Sequence, residues 1–176
     1  MIYPLNFPEI SSERLVLRQL TLNDAAAILG LRSNQEINKL ITRETPDTLE
    51  EATAFIHVCH SEFANGNRVF WAMELKESKQ VVGTIVFHNI QGTKSYAEIG
   101  YELHPDFHKK GLMKEAMKTI LSFGINTMEL KAIEAFTHKN NSGSIGLLEK
   151  HNFVIQPNSS DEGFDNNRVF RFEINQ

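Results

Sequence analysis

Three apolar runs stand close together in the middle of the chain: "RVFWAMEL" (Arg68–Leu75), "QVVGTIVFH" (Gln80–His88) and "SYAEIGYEL" (Ser95–Leu103). Each is rich in β-branched and aromatic residues, and only the short polar links "KESK" and "NIQGTK" separate them. Links this short join antiparallel neighbours; parallel neighbours need a crossover of about a dozen residues or more. The runs therefore predict an antiparallel meander, and the rest of the chain has to pack around it.

The flanks alternate between strand and helix signals. "RLVLRQL" (Arg14–Leu20) has the period of a half-buried strand. "TLNDAAAILGLRS" follows, with Thr21 and Asp24 spaced as a capping box. In "PDTLEEATAFIHVCHSEFANG", Leu49, Ala52, Phe55, Ile56, Cys59 and Phe63 recur at helical spacing, and Asn65-Gly66 ends the run. After the meander come a long amphipathic helix (about Lys110–Met128), a strand (Lys131–His138), a helix (Asn141–His151), a short strand near Phe153–Ile155, a polar loop "QPNSSDEGFDNN" and a closing strand "RVFRFEI". The order predicts an α+β fold, with a mixed, mostly antiparallel sheet of six to seven strands and about four helices. At 176 residues, the chain fits one domain spanning 1–176.

Composition narrows the function classes. A net charge of -4 argues against a nucleic-acid grip, which needs a dense basic face. No apolar run approaches the ~20 residues that cross a bilayer, and the start of the chain lacks the basic-then-apolar pattern of a secretory signal. One cysteine excludes an internal disulfide. Together these predict a cytoplasmic protein with no membrane segment. His57, Cys59 and His60 do not share one helix face, so no metal site is predicted.

Three features carry chemistry. The turn "HPDFHKKGLM" leads from strand to helix, where unpaired N–H groups attract phosphate. Gly111 lets a ligand approach the backbone there, and Lys109 and Lys110 add positive charge; the plain alternative is a glycine kept for turn geometry. Glu98 lies inside an apolar strand and shares a face with Tyr96, Gly100 and Glu102. It is either part of a solvated sheet face or a cleft carboxylate whose pKa partial burial raises, fitting it to accept a proton. In "THKNNSGSIGLLEKHNF", Asn141 or Ser142 can cap a helix, while Ser144 can either serve the first turn or present its hydroxyl to a reacting group.

In order and spacing, "SERLVLRQLTLNDAAAI", "DTLEEATAFI", "VVGTIVFHNI", "AEIGYELHPDFHKKGLMKEAM" and "IEAFTHKNNSGSIGLLEKHNF" resemble the GNAT superfamily of acetyl-CoA-dependent N-acetyltransferases, and within it the RimJ/RimL-type branch that includes ribosomal-protein N-terminal acetyltransferases. The resemblance implies that the loop between the fourth strand and third helix cradles the pyrophosphate of coenzyme A through backbone amides. The family pattern there is Gln or Arg, two residues, Gly, one residue, then Gly or Ala. Here it reads His108-Lys109-Lys110-Gly111-Leu112-Met113, with departures at His108 and Met113. The resemblance further assigns Glu98 to the general base, Ser144 to a position beside the sulfur, Asn141 to the pantetheine arm, and the main chain of Leu103 to a pantetheine hydrogen bond.

The implied reaction is direct acetyl transfer from acetyl-CoA to a primary amine in a ternary complex, with no metal. The acceptor is expected between the first helical region (about Ser33–Pro46) and the polar loop carrying Asp161, Glu162 and Asp165. A protein N-terminal α-amine, such as that of a ribosomal protein, is the first expectation. A small amine (polyamine, amino acid or antibiotic) is the second, and a non-catalytic acyl-CoA sensor is the alternative of another class. A homodimer is compatible with all three.

Overall fold

The computed structural model describes residues 1–174. Eight strands form one sheet: β1 (Ile10–Ser11), β2 (Leu15–Gln19), β3 (Val69–Leu75), β4 (Val81–Gln91), β5 (Tyr96–Leu103), β6 (Ala132–His138), β7 (Val154–Ile155) and β8 (Asn167–Glu173). They lie in the order β1-β2-β3-β4-β5-β6-β8-β7. Among the described residues, every pairing is antiparallel except that of β5 with β6. The expected meander is β3-β4-β5. The strand beyond the six to seven expected is β1, two residues long and too short to show a period. Five α-helices accompany the sheet: α1 (Ala25–Arg32), α2 (Gln35–Asn38), α3 (Leu49–Ala64), α4 (Leu112–Asn126) and α5 (Ser142–Lys150). The helix beyond the four expected is α2, a single turn capped by the Asn34 side chain.

Both sheet faces are covered, which explains why β3 reads as an unbroken apolar run. Val69, Trp71 and Met73 join the core beneath α4, with Leu112, Ala116, Met117 and Ile120 of that helix. Phe70 and Ala72 join the opposite core, built with Ile28 of α1 and with Ala52, Ile56 and Cys59 of α3. The Trp71 indole is fully buried, and its N–H donates to the Pro8 carbonyl at 2.7 Å. Arg18 ties β2 to β3 and to the turn that follows β2. It forks onto both Asp24 oxygens at 2.8 and 2.9 Å and reaches Glu74 of β3 at 2.7 Å. Asp24 Oδ2 also accepts the Thr21 N–H at 2.7 Å, which is the carboxylate half of the expected capping box.

Cys59 is buried in the α3 core, and burial pushes its thiol up to about 11. His60 sits 2.8 Å from the Leu20 carbonyl, so "HVCH" is spent on packing. No described helix is long and apolar enough to cross a membrane.

The fit of α4 to the sheet is tight at Gly124. Replacing a mid-helix glycine by alanine ordinarily stabilises by about 1 kcal/mol. Here the added Cβ would lie 2.9 Å from Phe87 Cζ and 3.2 Å from Leu130 Cδ1. Phe87 is itself held by Trp71, so it cannot yield cheaply. Overpacking of this kind costs about 1–3 kcal/mol. Gly124→Ala is therefore expected to lower the urea midpoint, and a raised midpoint would show that Phe87 can move.

Candidate active site

β5 and β6 pair over only three positions, Tyr96–Ala132, Ala97–Ile133 and Glu98–Glu134. Beyond Glu98 the strands part. The His104 N–H bonds the Val82 carbonyl, which fixes the phase of the β4–β5 ladder. Even-numbered residues of β5 turn their main-chain groups to β4, and odd-numbered ones turn theirs to β6. The outward N–H and C=O groups of Tyr101 and Leu103 therefore face a gap with no ladder partner. A polar, extended ligand can take the place of the missing strand.

The gap leads to the N-terminus of α4. Pro105–Phe107 form a 3-10 turn, and then Lys109 (φ 60°) and Gly111 (φ 78°) take left-handed conformations. Gly111 is the N-cap of α4, and no side chain caps the helix. Its first N–H groups and positive dipole end are thus left to a ligand. The helix begins at Leu112 rather than Lys110 because the left-handed turn at Gly111 has to precede it. His108 Nε2 lies 2.8 Å from the Leu103 carbonyl, so the residue that departs from the family pattern pins the loop back onto β5.

Arg14 and Glu115 hold the loop from beneath. Arg14 Nη1 donates to the Lys110 carbonyl at 2.8 Å and Nε to Glu115 Oε2 at 2.7 Å. Glu115 Oε1 also accepts the Arg14 N–H and the Ser12 hydroxyl, each at 2.7 Å. Burial alone would raise the pKa of Glu115. The hydrogen bonds from the Arg14 main chain, Ser12 and the guanidinium outweigh it and hold the carboxyl below its usual range.

A cavity of about 690 Å³ runs from this loop, past α5, to the segment Glu36–Ile41 after α1. It gathers Leu103, His108, Lys109, Gly111, Leu112, Met113, Asn141 and Ser144. Lys110 does not line it. Its ammonium sits 5.0 Å from the Phe107 ring centroid, and its carbonyl is the one Arg14 holds. Asn141 is the N-cap of α5 and accepts the Ser144 N–H at 3.1 Å, so its side chain serves the helix. The Ser144 hydroxyl lies 2.8 Å from the Tyr101 hydroxyl, across the open end of the gap. Burial pushes the Tyr101 phenol up to about 12 although Ser144 pulls the other way, so Tyr101 stays protonated at neutral pH.

Glu98 lies outside this lining, on the opposite face of β5 from Tyr101 and next to the last paired position. Its Oε1 accepts from Asn89 and lies 3.2 Å from the Tyr96 hydroxyl, and its Oε2 is 3.6 Å from His88 Nδ1. Burial lowers the pKa of His88 although Glu98 raises it. Tyr96 also reaches Glu134 at 2.8 Å, and Arg171 reaches Glu134 at 2.9 Å. Two residues of the site escaped pattern reading. Glu102 lines the cavity yet is buried; Thr84 donates to its Oε1 at 3.0 Å, and its Oε2 forms an ion pair with Arg43 Nη2 2.6 Å away. Tyr101 reads as core and proves to be Ser144's partner. The alternation of β5 signalled Glu102, which falls on the same face as Glu98. The polar loop contributes nothing to the cavity lining, and Asp161 is engaged by Asn167 at 2.7 Å.

The acetyltransferase (GNAT) domain family matches residues 14–154. YoaA, an uncharacterized N-acetyltransferase of Bacillus subtilis (strain 168), is 32% identical over 147 residues, covering 84% of this chain and 83% of YoaA. Among solved structures, Mycobacterium smegmatis RimJ in complex with CoA-disulfide superposes with a TM-score of 0.82 at 18% identity, covering 95% of this chain and 88% of RimJ. The ribosomal-protein-S5-alanine acetyltransferase of Vibrio fischeri superposes with a TM-score of 0.82 at 16% identity, covering 94% and 96%. The last two likenesses are of fold.

The depressed pKa of Glu115 has a direct consequence. A carboxyl lowered on folding stabilises above its unfolded value of ~4.3, and that stabilisation is lost as pH falls through its folded value. Glu115→Gln is expected to lower the melting temperature at pH 7, with the deficit shrinking below about pH 4. Melting curves across that range check it.

Proposed function

This chain belongs to the acetyltransferase (GNAT) family and is an N-acetyltransferase; on that premise we propose that it transfers acetyl from acetyl-CoA to the α-amine of a protein N-terminus, by direct attack within a ternary complex. One observation carries the reading: the unpaired stretch of β5 beyond Glu98 continues into the uncapped N-terminus of α4 through a single cavity. The CoA-disulfide bound to the RimJ neighbour supports coenzyme A as the carrier, and the ribosomal-protein neighbour supports a protein acceptor.

The pyrophosphate would rest on the N–H groups at Gly111–Met113, with Lys109 beside it, and the pantetheine arm would pair with Tyr101 and Leu103 as a strand would. An α-ammonium has a pKa near ~8 and must lose a proton before it attacks. Glu98, directly or through a water, takes that proton from the opposite face of the strand. The nitrogen adds to the thioester carbonyl, and the oxyanion is met by a β5 main-chain N–H, that of Tyr101. Collapse expels the thiolate, and the nitrogen gives up its second proton to the thiolate or to solvent. A coenzyme thiol, like free cysteine, titrates near ~8.5, well below the Tyr101 phenol at about 12. Tyr101 and Ser144 therefore donate hydrogen bonds to the leaving sulfur rather than surrendering a proton outright. No protein nucleophile is needed, consistent with the buried Cys59.

The reading is tested by thiol release from acetyl-CoA, with peptides bearing free N-termini and with small amines as acceptors, and by mass measurement of the products. Acetylated peptide N-termini support it; thiol release only with small amines transfers the activity to that class. Glu98→Gln is expected to lower kcat at least tenfold at pH 7, with partial recovery as rising pH deprotonates the amine. An unchanged pH–rate profile would remove Glu98 from the base role. Gly111→Ala places a Cβ at φ 78° and 3.4 Å from Arg14 Nη2. It is expected to raise KM for acetyl-CoA several-fold while leaving kcat nearly unchanged, which initial-rate measurements will show.

A further inference from the structure

One row of side chains crosses the sheet at the level where β5 and β6 part. His88 of β4 stands opposite Glu98 of β5, Glu98 opposite Glu134 of β6, and Glu134 opposite Arg171 of β8. Arg68 immediately precedes β3, and the continued β3–β4 register sets it opposite His88. At one end of the row Arg171 meets Glu134 at 2.9 Å. In the middle, Glu98 Oε2 lies 3.6 Å from His88 Nδ1. At the other end the carboxylate is missing: among the described residues, Arg68 takes part in no ion pair.

Arg68 Nε is buried and has no hydrogen-bond partner. The guanidinium touches the Cys59 thiol, a weak acceptor that stays protonated and balances no charge. Burial lowers the pKa of His88, Glu98 raises it, and the Arg68 charge lowers it further, so the two side chains are electrostatic neighbours. A buried donor of this strength ordinarily has an acceptor, and an orphaned one points to an ion or water that belongs there. Space for one is present. A cavity of about 260 Å³ is bounded by Glu62, Asn67, Arg68, His88, Asn89 and Ile90, and it shares no residue with the larger cavity beside α4. It adjoins the proposed base through two of its residues, His88 and Asn89, both in contact with Glu98. Glu62 is the one carboxylate of the lining; it weakens the site for anions without pairing with Arg68.

We propose that this cavity is an oxyanion site, in which Arg68, with His88 beside it, binds a carboxylate or phosphate group carried by the acceptor amine. Neighbouring strands lie about 4.8 Å apart, so Arg68 stands about 10 Å from Glu98 along the row. An amine at Glu98 and an oxyanion at Arg68 belong to one molecule only when several bonds separate them. The α-carboxylate of a free amino acid sits too close to its own amine. An acidic side chain on the second or third residue of a peptide, or the acid group of a longer amine, spans the gap. Arg68 is then a specificity residue. The pocket stands without the transferase reading; its filling by the acceptor rests on that reading.

The test titrates the whole protein with inorganic phosphate, read from the Arg68 Nε–H and His88 ring resonances in NMR spectra. Both are expected to shift saturably, and Arg68→Gln is expected to abolish the His88 response. In parallel, thiol release from acetyl-CoA is measured with two peptides of equal length and free N-termini, one with Glu and one with Gln at the second and third positions. The wild type is expected to favour the acidic peptide by about tenfold in kcat/KM, the range of a charge-assisted hydrogen bond. Arg68→Gln is expected to bring that ratio to about one while leaving KM for acetyl-CoA unchanged. Where melting shows that Arg68→Gln does not fold, Arg68→Lys, which keeps the charge and loses the fork, takes its place and is expected to lower the ratio. Equal efficiency on the two peptides with a saturable phosphate shift overturns the assignment to the acceptor and makes a free ion the occupant. The absence of both shift and preference overturns the site, as does a preference undiminished in the folded Arg68 variant. Thiol release with no amine at all overturns the transferase reading and leaves the phosphate titration to judge the pocket.

Discussion

Everything at this site depends on a ladder that stops. β5 and β6 begin as ordinary parallel neighbours, and each further residue of pairing would satisfy two more main-chain groups at no cost in charge or side-chain order. The pairing nevertheless ends at Glu98–Glu134; the His108 ring meets the Leu103 carbonyl, and the outward-facing groups of Tyr101 and the Leu103 N–H have no ladder partner. Unpaired main chain in a sheet interior is expensive. Here it stays within reach of solvent along the cavity, and the surroundings keep it from closing. Tyr101 stands against Ser144 at the mouth, and His108 holds the following loop on the Leu103 carbonyl. The same interruption separates two faces. One carries α4, and the other carries the side chains of Glu98 and Glu102.

The loop before α4 shows how a weak local signal becomes a firm one. A glycine and two lysines ahead of a helix fit many turns. The left-handed φ at both Lys109 and Gly111, the missing side-chain cap, and the double anchoring by Arg14 and Glu115 together describe a helix end held open. Arg14 is distant in sequence and sits on the far side of the sheet order from β5, so the geometry of the loop is set in part by a residue about a hundred positions before it.

That distance explains what could be read from the chain and what could not. The meander, the long helix after it and the cap at Asn141 are local matters of period and turn chemistry, and they lie where the spacing put them. The two extra elements, β1 and α2, are too short to carry a period. Within the site, the turn before α4 was legible because Lys109 to Leu112 are consecutive residues. Glu98 and Glu102 were visible as polar positions in an apolar strand, but alternation cannot say which of the two is buried. Arg43 and Arg14 look like surface charge in sequence, because their partners, Glu102 and Glu115, lie about sixty and a hundred positions away. Of the two segments expected to flank the acceptor, the one following α1 lines the cavity and the polar loop near Asp161 does not.

The lone sulfur in α3 has a practical side. Cys59 is the chain's one cysteine; it is 4% exposed, and its proton is held to about 11. A folded molecule therefore offers disulfide reagents almost no thiolate, so colour developed in an Ellman-type assay comes from the coenzyme released and not from the catalyst. The converse holds too: once α3 lifts from the sheet, that same atom turns reactive, and its labelling rate becomes a clock for global opening.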